Sequence, residues 1–208
     1  MCEKMEKKAV DPSALGLFGL AMVTLVASSQ KLGITEGQAY IIPWAVFLGA
    51  IAQLIAGLLD YKKGNVFGAT AFCGYGLFWL GMSLSWLMNL GALGEALKGN
   101  IDPHQMGFAF IGYLGLTVFL TIGAVETNKV LLIDFLLIDV LFIGLAVSAF
   151  TTGATHEAFH MAAAVSEILI AIVSLYGAGA NVLNNHFGRT FLPVGKPCGI
   201  FVKGGVGH

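Results

Sequence analysis

The chain has 208 residues, of which 57% are hydrophobic and only 11% are charged. Soluble domains carry about 25% charged residues, so this composition excludes an ordinary soluble globular protein. The formal net charge is −1, and Lys and Arg form no dense cluster, which argues against a nucleic-acid partner.

Six long apolar segments follow one another along the sequence. They cover residues 14–29, 41–59, 66–90, 107–125, 130–150 and 159–183. Each reaches or approaches the roughly 20 residues with which an α-helix crosses a hydrocarbon layer about 30 Å thick. The sequence therefore predicts an all-α membrane protein with six transmembrane helices per protomer. We expect an N-terminal tail (1–13), a six-helix transmembrane domain (14–184) and a C-terminal tail (185–208), with no room for a separate catalytic domain and no enzymatic activity.

The first apolar segment follows Asp11 and Pro12. Proline sets the backbone angle of a first helical turn and lacks the N–H that would otherwise be unpaired there. The Asp11 carboxylate can accept a hydrogen bond from another free amide of that turn, so the pair reads as a plain helix cap. The preceding ten residues are charged and no small-residue cleavage site follows, so we expect a retained span rather than a signal peptide.

The basic residues predict the orientation of the helices. With the N-terminus on one side of the membrane, nine of the 11 Lys and Arg residues fall on that side and two on the other. The nine are Lys4, Lys7, Lys8, Lys62, Lys63, Lys129, Arg189, Lys196 and Lys203, and the two are Lys31 and Lys98. Because Lys and Arg accumulate on the cytoplasmic side, both termini are predicted to be cytoplasmic.

Glycine pairs recur inside the apolar segments. They are Gly16/Gly19, Gly74/Gly76, Gly112/Gly115 and Gly177/Gly179. Such pairs are typical of helix faces that approach closely, either within a chain or between subunits.

Three acidic residues lie inside the last two apolar segments, where a charge costs at least about 2.5 kcal/mol. Asp134 is one turn inside the fifth segment, where it can face water. Asp139 and Glu167 are close to mid-membrane, and we consider either a proton-linked role or a structural hydrogen bond for them. No Lys or Arg lies deep in a segment, so an anion would need hydroxyls, amides and helix N-termini, or would cross in its protonated form. Thr24 and Gln53 are weaker candidates for lining such a path.

One short motif suggests a different chemistry. His156, Glu157 and His160 match the pattern H-E-x-x-H, in which two histidines on one helix face bind zinc and the glutamate acts as a base. A third ligand is needed, and Glu167 lies seven residues beyond His160, about 10 Å along the axis at 1.5 Å per residue. We interpret the motif as a chance occurrence and expect neither a metal site nor a cofactor. An intramembrane zinc protease remains a remote alternative.

Several stretches resemble the acetate uptake transporter family, which includes bacterial succinate–acetate permeases and fungal membrane proteins related to acetate and ammonia export. Residues 11–17 (DPSALGL) resemble the family signature Asn-Pro-Ala-Pro-Leu-Gly-Leu, in which Asp11, Pro12, Leu15, Gly16 and Leu17 form an entrance motif. Residues 49–68 (GAIAQLIAGLLDYKKGNVFG), 70–80 (TAFCGYGLFWL) and 187–195 (FGRTFLPVG) are similar to further family blocks.

The resemblance implies a homo-hexamer of six-span protomers in the lipid bilayer, each with its own path for acetate. In the family this path narrows at an apolar constriction, whose counterparts here are Leu20, Tyr75 and Ile138. Leu20 replaces a phenylalanine and Ile138 a leucine, so the constriction stays apolar. Asp11 stands where the signature has asparagine, and an acidic residue there would repel a carboxylate unless it were protonated or served as the helix cap.

The sequence thus favours a plasma-membrane transporter or channel for acetate and related short carboxylates, succinate among them. In a Gram-negative host this membrane would be the inner one. The hydroxyl of Tyr75 is a candidate donor to the passing carboxylate. The main alternative is a channel for small neutral solutes such as urea, amides or ammonia, because no Lys or Arg lies deep in a segment where it could stabilise an anion.

Overall fold

The computed structural model describes residues 11–201, and within that range the secondary structure consists of helices without a strand. Six of these helices are long and apolar enough to cross a membrane. They are α1 (Ser13–Lys31), α2 (Ile41–Lys62), α3 (Val66–Asn89), α4 (Pro103–Ala124), α5 (Lys129–Phe150) and α6 (Gly153–Phe187). The predicted six-span, all-helical architecture is confirmed. Cys2, Lys4, Lys7, Lys8 and Lys203 lie outside the described residues.

Short polar residues begin four of the helices. The Asn65 side-chain oxygen accepts a hydrogen bond from the Gly68 amide at 3.2 Å, and α3 starts there. Asn128 does the same for the Leu131 amide of α5 at 2.9 Å, and Asp11 accepts from the amide of Ser13 in α1 at 3.0 Å. Asp102 and Pro103 open α4. Each cap pairs an amide that would otherwise lack a partner at a helix start.

The helices pack as a closed ring. α1 contacts α2 and α6, α5 contacts α4 and α6, and α2 contacts α3, with few contacts between α3 and α4. Glycine permits the closest approaches: a Cβ on Gly144 of α5 would lie 2.7 Å from the Phe159 carbonyl oxygen of α6. A Cβ on Gly76 of α3 would lie 3.0 Å from the Ala50 carbonyl oxygen of α2. By contrast, a Cβ on Gly112 or Gly115 would meet no atom within 4 Å.

α2 contains a π-helical segment, Ala45–Ala52, which follows Pro43. A π-helical turn is wider than an α-helical turn and occurs often at functional sites. The segment ends directly before Gln53, whose amide nitrogen donates to the Gly49 carbonyl at 2.7 Å. The π-helical segment therefore binds the side chain of Gln53, the only polar side chain in the middle of the described part of α2.

Aromatic side chains fill the centre of the ring. Tyr75 of α3 stacks on Phe142 of α5 with ring centroids 6.4 Å apart, and Phe78 meets the same Phe142 edge-on at 5.3 Å. Tyr113 of α4 also stacks on Phe142, with ring centroids 5.7 Å apart. These rings interlock three helices and limit how far the centre can open.

The residues after α6 fold back over one end of the ring. The Asn184 side-chain oxygen accepts hydrogen bonds from the amides of Phe191 and Leu192 at 2.7 and 2.9 Å. Further along, the Cys198 amide donates to the Val125 carbonyl at 2.9 Å, at the end of α4. We call this end, where α1 begins and α6 finishes, the inner end, and the opposite one the outer end.

Candidate substrate pathway

A cavity of about 240 Å³ enters the ring from the inner end. Its mouth lies among the N-termini of α1, α3 and α5, at Ser13, Asn65 and Asn128. The N-terminal end of a helix carries a partial positive charge, and its first amides point outward. Because Asn128 uses its oxygen as a helix cap, its NH₂ group is left to meet a ligand, whereas the side chain of Asn65 also bonds to Asp60. The mouth is therefore suited to an anion.

The cavity closes at the three residues predicted as a constriction. Leu20, Tyr75 and Ile138 line it, and each is the lining residue furthest from the start of its helix, on α1, α3 and α5 respectively. Their exposed fractions are 7%, 4% and 5%. The structure thus brings them to one end of one cavity. Their role in transport stays a prediction.

A second cavity of about 150 Å³ begins one turn further along α3 and α5, and two turns further along α1, at Ala27. Phe78 on α3 and Leu141 on α5 line it, each three residues beyond the corresponding member of the closed end. Three residues span about 4.5 Å of helix, so a barrier roughly one side chain thick separates the two cavities. The inner and outer cavities therefore define one interrupted path along the ring axis.

The Tyr75 hydroxyl donates a hydrogen bond to another side chain of the protein. It lies 2.8 Å from the Thr117 hydroxyl, which is itself 2.8 Å from the Tyr113 carbonyl oxygen. A carbonyl oxygen only accepts, so Thr117 donates to Tyr113 and Tyr75 must donate to Thr117. The hypothesis that Tyr75 donates to a passing carboxylate is therefore not supported, since its oxygen has only lone pairs left to present.

Two residues that line the inner cavity each have a buried side-chain oxygen without a hydrogen-bond partner. Asp134 is 2% exposed, and one of its oxygens, Oδ2, accepts from the Ser174 hydroxyl at 2.6 Å, whereas Oδ1 is unpaired. Gln53 is fully buried, and its Oε1 is likewise unpaired. Both residues line the inner cavity. The expectation that Asp134 faces water at the membrane surface is wrong, because α6 covers it.

The remaining members of the entrance motif divide between two environments. Asp11 and Leu17 line the inner cavity. Gly16 packs against the ring of Phe72, and Pro12 begins the first turn of α1. Leu15 is 39% exposed and lines none of the cavities described here.

Thr24 also lies off the path. Its side chain is completely buried and donates to the Leu20 carbonyl at 2.7 Å. It lines neither the inner nor the outer cavity. Its hydroxyl is thus used within α1, and a place for Thr24 on the path stays a prediction.

An ion pair stands beside the outer cavity. The Lys31 ammonium lies 2.7 Å from Glu167 Oε2, and the two side chains are 14% and 1% exposed. Both line the outer cavity, as does His160. Sequence reasoning counted Lys31 as a loop residue and missed this cation. The sequence showed only that an acid deep in α6 needs a partner, and a lysine side chain at a helix end is long enough to reach inward.

Asp139 is held elsewhere, between α4 and α5. Its Oδ2 accepts from the Thr121 hydroxyl at 2.7 Å, and the residue is half-buried. It lines none of the cavities described here. The structure places it at a helix–helix contact, whereas Glu167 lies on the path.

The histidines of the H-E-x-x-H motif lie at a third, wider cavity of about 850 Å³ at the outer end. The rings of His156 and His160 stack with centroids 5.8 Å apart, and Nδ1 of His156 lies 2.8 Å from the Ser148 carbonyl oxygen. That nitrogen must therefore carry the proton. Within residues 11–201, no three His, Cys, Asp or Glu side chains are grouped closely enough to hold a metal ion.

Asp102 and His104 line the same wide cavity; Asp102 precedes the span α4, and His104 lies in its first turn. The Asp102 carboxylate accepts from the backbone amide of His104 at 3.0 Å and lies 2.9 Å from its ring. These contacts, the backbone hydrogen bond first, lower the pKa of Asp102 below its ordinary value.

Comparison with known proteins gives concordant matches. The model of the GPR1/FUN34/yaaH family matches residues 1–195. The succinate-acetate/proton symporter SatP of Escherichia coli (strain K12) is 37% identical over 194 residues, which is 91% of this chain and 97% of that protein. The ammonia transport outward protein 2 of Saccharomyces cerevisiae is 30% identical over 84% of this chain and 62% of its own length. The solved structure of the bacterial acetate channel SatP superposes with a TM-score of 0.82 at 34% identity, covering 90% of this chain and all of that one.

Proposed function

The chain belongs to the GPR1/FUN34/yaaH family, and we propose that it carries acetate and related short carboxylates, succinate among them, across the plasma membrane. One observation carries this function: a chain similar in sequence and fold to an acetate channel has a cavity along its axis that closes at three buried side chains. The six spans make it a multi-pass membrane protein. We infer that both termini are cytoplasmic, so that the inner cavity opens to the cytoplasm.

Leu20, Tyr75 and Ile138 form the constriction in this proposal. Two aliphatic side chains and one aromatic ring close the inner cavity, and a hydrocarbon-lined narrow point hinders the passage of hydrated ions. Tyr75 is held by the Thr117 hydrogen bond and by its stacking on Phe142. The constriction therefore opens by small movements of Leu20 and Ile138 rather than by rotation of the ring.

The two sides of the constriction attract carboxylates in different ways. At the mouth, three helix N-termini and the amide of Asn128 favour an anion. At the outer cavity, the Lys31 ammonium supplies a full positive charge, held by Glu167. We propose that a carboxylate at the outer side competes with Glu167 for Lys31 and that protonation of Glu167 assists this exchange. This assigns a proton-linked role to Glu167, and Asp139 has a structural one.

We also infer that the protomers assemble as a homo-hexamer. Gly112 and Gly115 on α4 have open space where a Cβ would stand, as do Gly81 on α3 and Gly179 on α6, whereas Gly144 on α5 packs against a neighbouring helix. Phe108 and Phe119 on the same helix are 69% and 76% exposed. Small residues between large exposed ones allow a neighbouring subunit to approach. We propose no enzymatic activity, because His156 and His160 have no third ligand nearby among the described residues.

Uptake of labelled acetate into vesicles that contain the purified protein tests this function. Unlabelled acetate and other short carboxylates should compete with the labelled substrate, whereas urea and methylammonium should not. Vesicles without protein measure passive permeation of the acid. A protein that admits urea or methylammonium but adds no acetate uptake would be the neutral-solute channel of the alternative reading.

A further inference from the structure

We propose that the closed end of the inner cavity binds the substrate as a proton-bearing carboxylic acid and that Asp134 shares the proton with it. This inference rests on the proposed acetate transport and specifies which form of the substrate reaches the constriction. None of the similar proteins' names assigns a residue to this step. The inference also gives a role to a buried acid that the constriction itself does not use.

Unpaired acceptor atoms collect at the closed end. Asp134 Oδ1 and Gln53 Oε1 are buried and unpaired, and both residues line the cavity. The Tyr75 hydroxyl on the same wall donates its hydrogen bond to Thr117, so only its lone pairs remain for a ligand. Buried polar atoms in proteins are nearly always hydrogen-bonded. Among residues 11–201, Asp60 Oδ2 and Asp139 Oδ1 are unpaired as well, but only Asp134 and Gln53 line the cavity, where a ligand that supplies a donor can pair with them. A carboxylate anion brings only acceptors and negative charge, whereas a carboxylic acid brings an O–H group.

The proton can rest on either partner without any covalent change. When Asp134 is ionised, its Oδ1 accepts the O–H of the acid, and when Asp134 is protonated, its own O–H donates to the substrate carboxylate. Two carboxyl groups within hydrogen-bond distance do not both ionise, so in either case one proton lies between them. The Ser174 hydroxyl already satisfies Oδ2, which leaves Oδ1 for the substrate. One proton therefore accompanies each carboxylate to this point.

The position of Asp134 suits such a step. It precedes Ile138 by four residues, which is one helical turn, and both line the same cavity. The substrate thus takes its proton immediately before the apolar constriction, where a bare anion would lose its hydration without compensation. The acid then crosses as a neutral molecule and meets Lys31 beyond the barrier.

Few other ionisable groups face this site. Tyr75 faces it from α3, and Asp11 stands at the mouth beside α1. On its own helix, Asp139 is turned to Thr121 of α4. On α6 the nearest acid is Glu167, seven residues before Ser174 and paired with Lys31. Asp60 is buried near the inner end of α2 and does not line the cavity.

Asp134→Asn and Asp139→Asn form a matched pair for the test, since each replaces one acid of α5 by an amide of the same shape. Each variant, after a check of its folding by size-exclusion chromatography, is assayed in vesicles for labelled acetate uptake with and without an imposed potassium diffusion potential. For the unchanged protein and for Asp139→Asn we expect acetate uptake that does not depend on the imposed membrane potential and that rises as the pH falls. For Asp134→Asn we expect uptake to fall about 10-fold or more, as for loss of a hydrogen bond to a charged group, and the remainder to respond to the potential.

Several outcomes would overturn the inference. Uptake by the unchanged protein that follows the potential, or an Asp134→Asn variant indistinguishable from Asp139→Asn, would show that no shared proton is required. Methylammonium uptake that depends on Asp134 would show that the donor is an N–H group. If Asp134→Asn does not fold, Ser174→Ala replaces it, with a several-fold loss of uptake expected and no loss contradicting the inference. Absence of any acetate uptake by the unchanged protein would instead refute the proposed function itself.

Discussion

Removing one partner of the Lys31–Glu167 ion pair should destabilise the protein strongly. At 2.7 Å the attraction amounts to roughly 6 kcal/mol with an effective dielectric constant of 20. Glu167→Gln leaves the Lys31 ammonium beside a neutral amide, and loss of one member of a buried pair costs about 3–5 kcal/mol. Because Lys31 is 14% exposed and keeps some hydration, we expect the lower end, about 3 kcal/mol. For a chain of this size that corresponds to a fall in melting temperature of about 6–12 °C.

The assay is thermal unfolding of the detergent-purified protein, followed by the fluorescence of the buried Trp79 and Trp86. Glu95→Gln is the matched control, since Glu95 and Lys98 form an exposed pair at 4.0 Å. It should change the melting temperature by less than about 2 °C, because surface pairs contribute at most about 1 kcal/mol. The double variant Lys31→Met/Glu167→Leu should recover most of the loss, as uncharged pairs of similar volume often do. Equal melting temperatures for Glu167→Gln and Glu95→Gln would contradict the burial of the Lys31–Glu167 ion pair.

Three further predictions concern the constriction, the helix packing and one cap. Tyr75→Ala should widen the closed end and so raise the uptake of succinate relative to acetate in vesicles. Tyr75→Phe keeps the ring and should leave this uptake ratio near its original value. Equal ratios for the two variants would contradict the constriction. Gly144→Ala should lower stability by about 1–3 kcal/mol, as overpacking does, and Gly112→Ala, which meets no atom within 4 Å, should be neutral or slightly stabilising in the same unfolding assay. Carbon NMR should give the Asp102 carboxyl a pKa below the value of roughly 3.9 for a free aspartate, since its hydrogen bonds stabilise the ionised form. Its cap on α4 should therefore be fully present above the pKa of a free aspartate and be lost as the pH falls through the lowered pKa.

The sequence was sufficient for those features that depend on local composition. Apolar length alone located the six helices, because a helix that crosses lipid needs about 20 apolar residues whatever its neighbours are. Asn and Asp before a helix likewise act within their own turn, as Asp11 does. The shared cavity of Leu20, Tyr75 and Ile138 was anticipated through family resemblance and not through any pattern in the chain.

Features that depend on a partner far along the chain could not be predicted. Lys31 and Glu167 are 136 residues apart, and only the packing of α1 on α6 shows that they meet. The burial of Asp134 depends on Ser174, 40 residues away, and the proton of Tyr75 is directed by Thr117, 42 residues away. The π-helical segment before Gln53 has Pro43 as its one local sign, which does not indicate where the wider turns end. Hydrogen-bond partners of this kind follow from the fold and not from spacing.

Thiol labelling at the closed end of the inner cavity tests the pathway most directly. In a chain with Cys2, Cys73 and Cys198 replaced by serine, Ile138→Cys places a small thiol on the cavity wall, and Phe119→Cys places the control thiol on the 76% exposed outer face of α4. We predict that a small charged thiol reagent reduces acetate uptake through Ile138→Cys to the level of protein-free vesicles, that a reductant restores it, and that Phe119→Cys is unaffected. Full uptake through quantitatively labelled Ile138→Cys would contradict a path for acetate through the centre of the protomer.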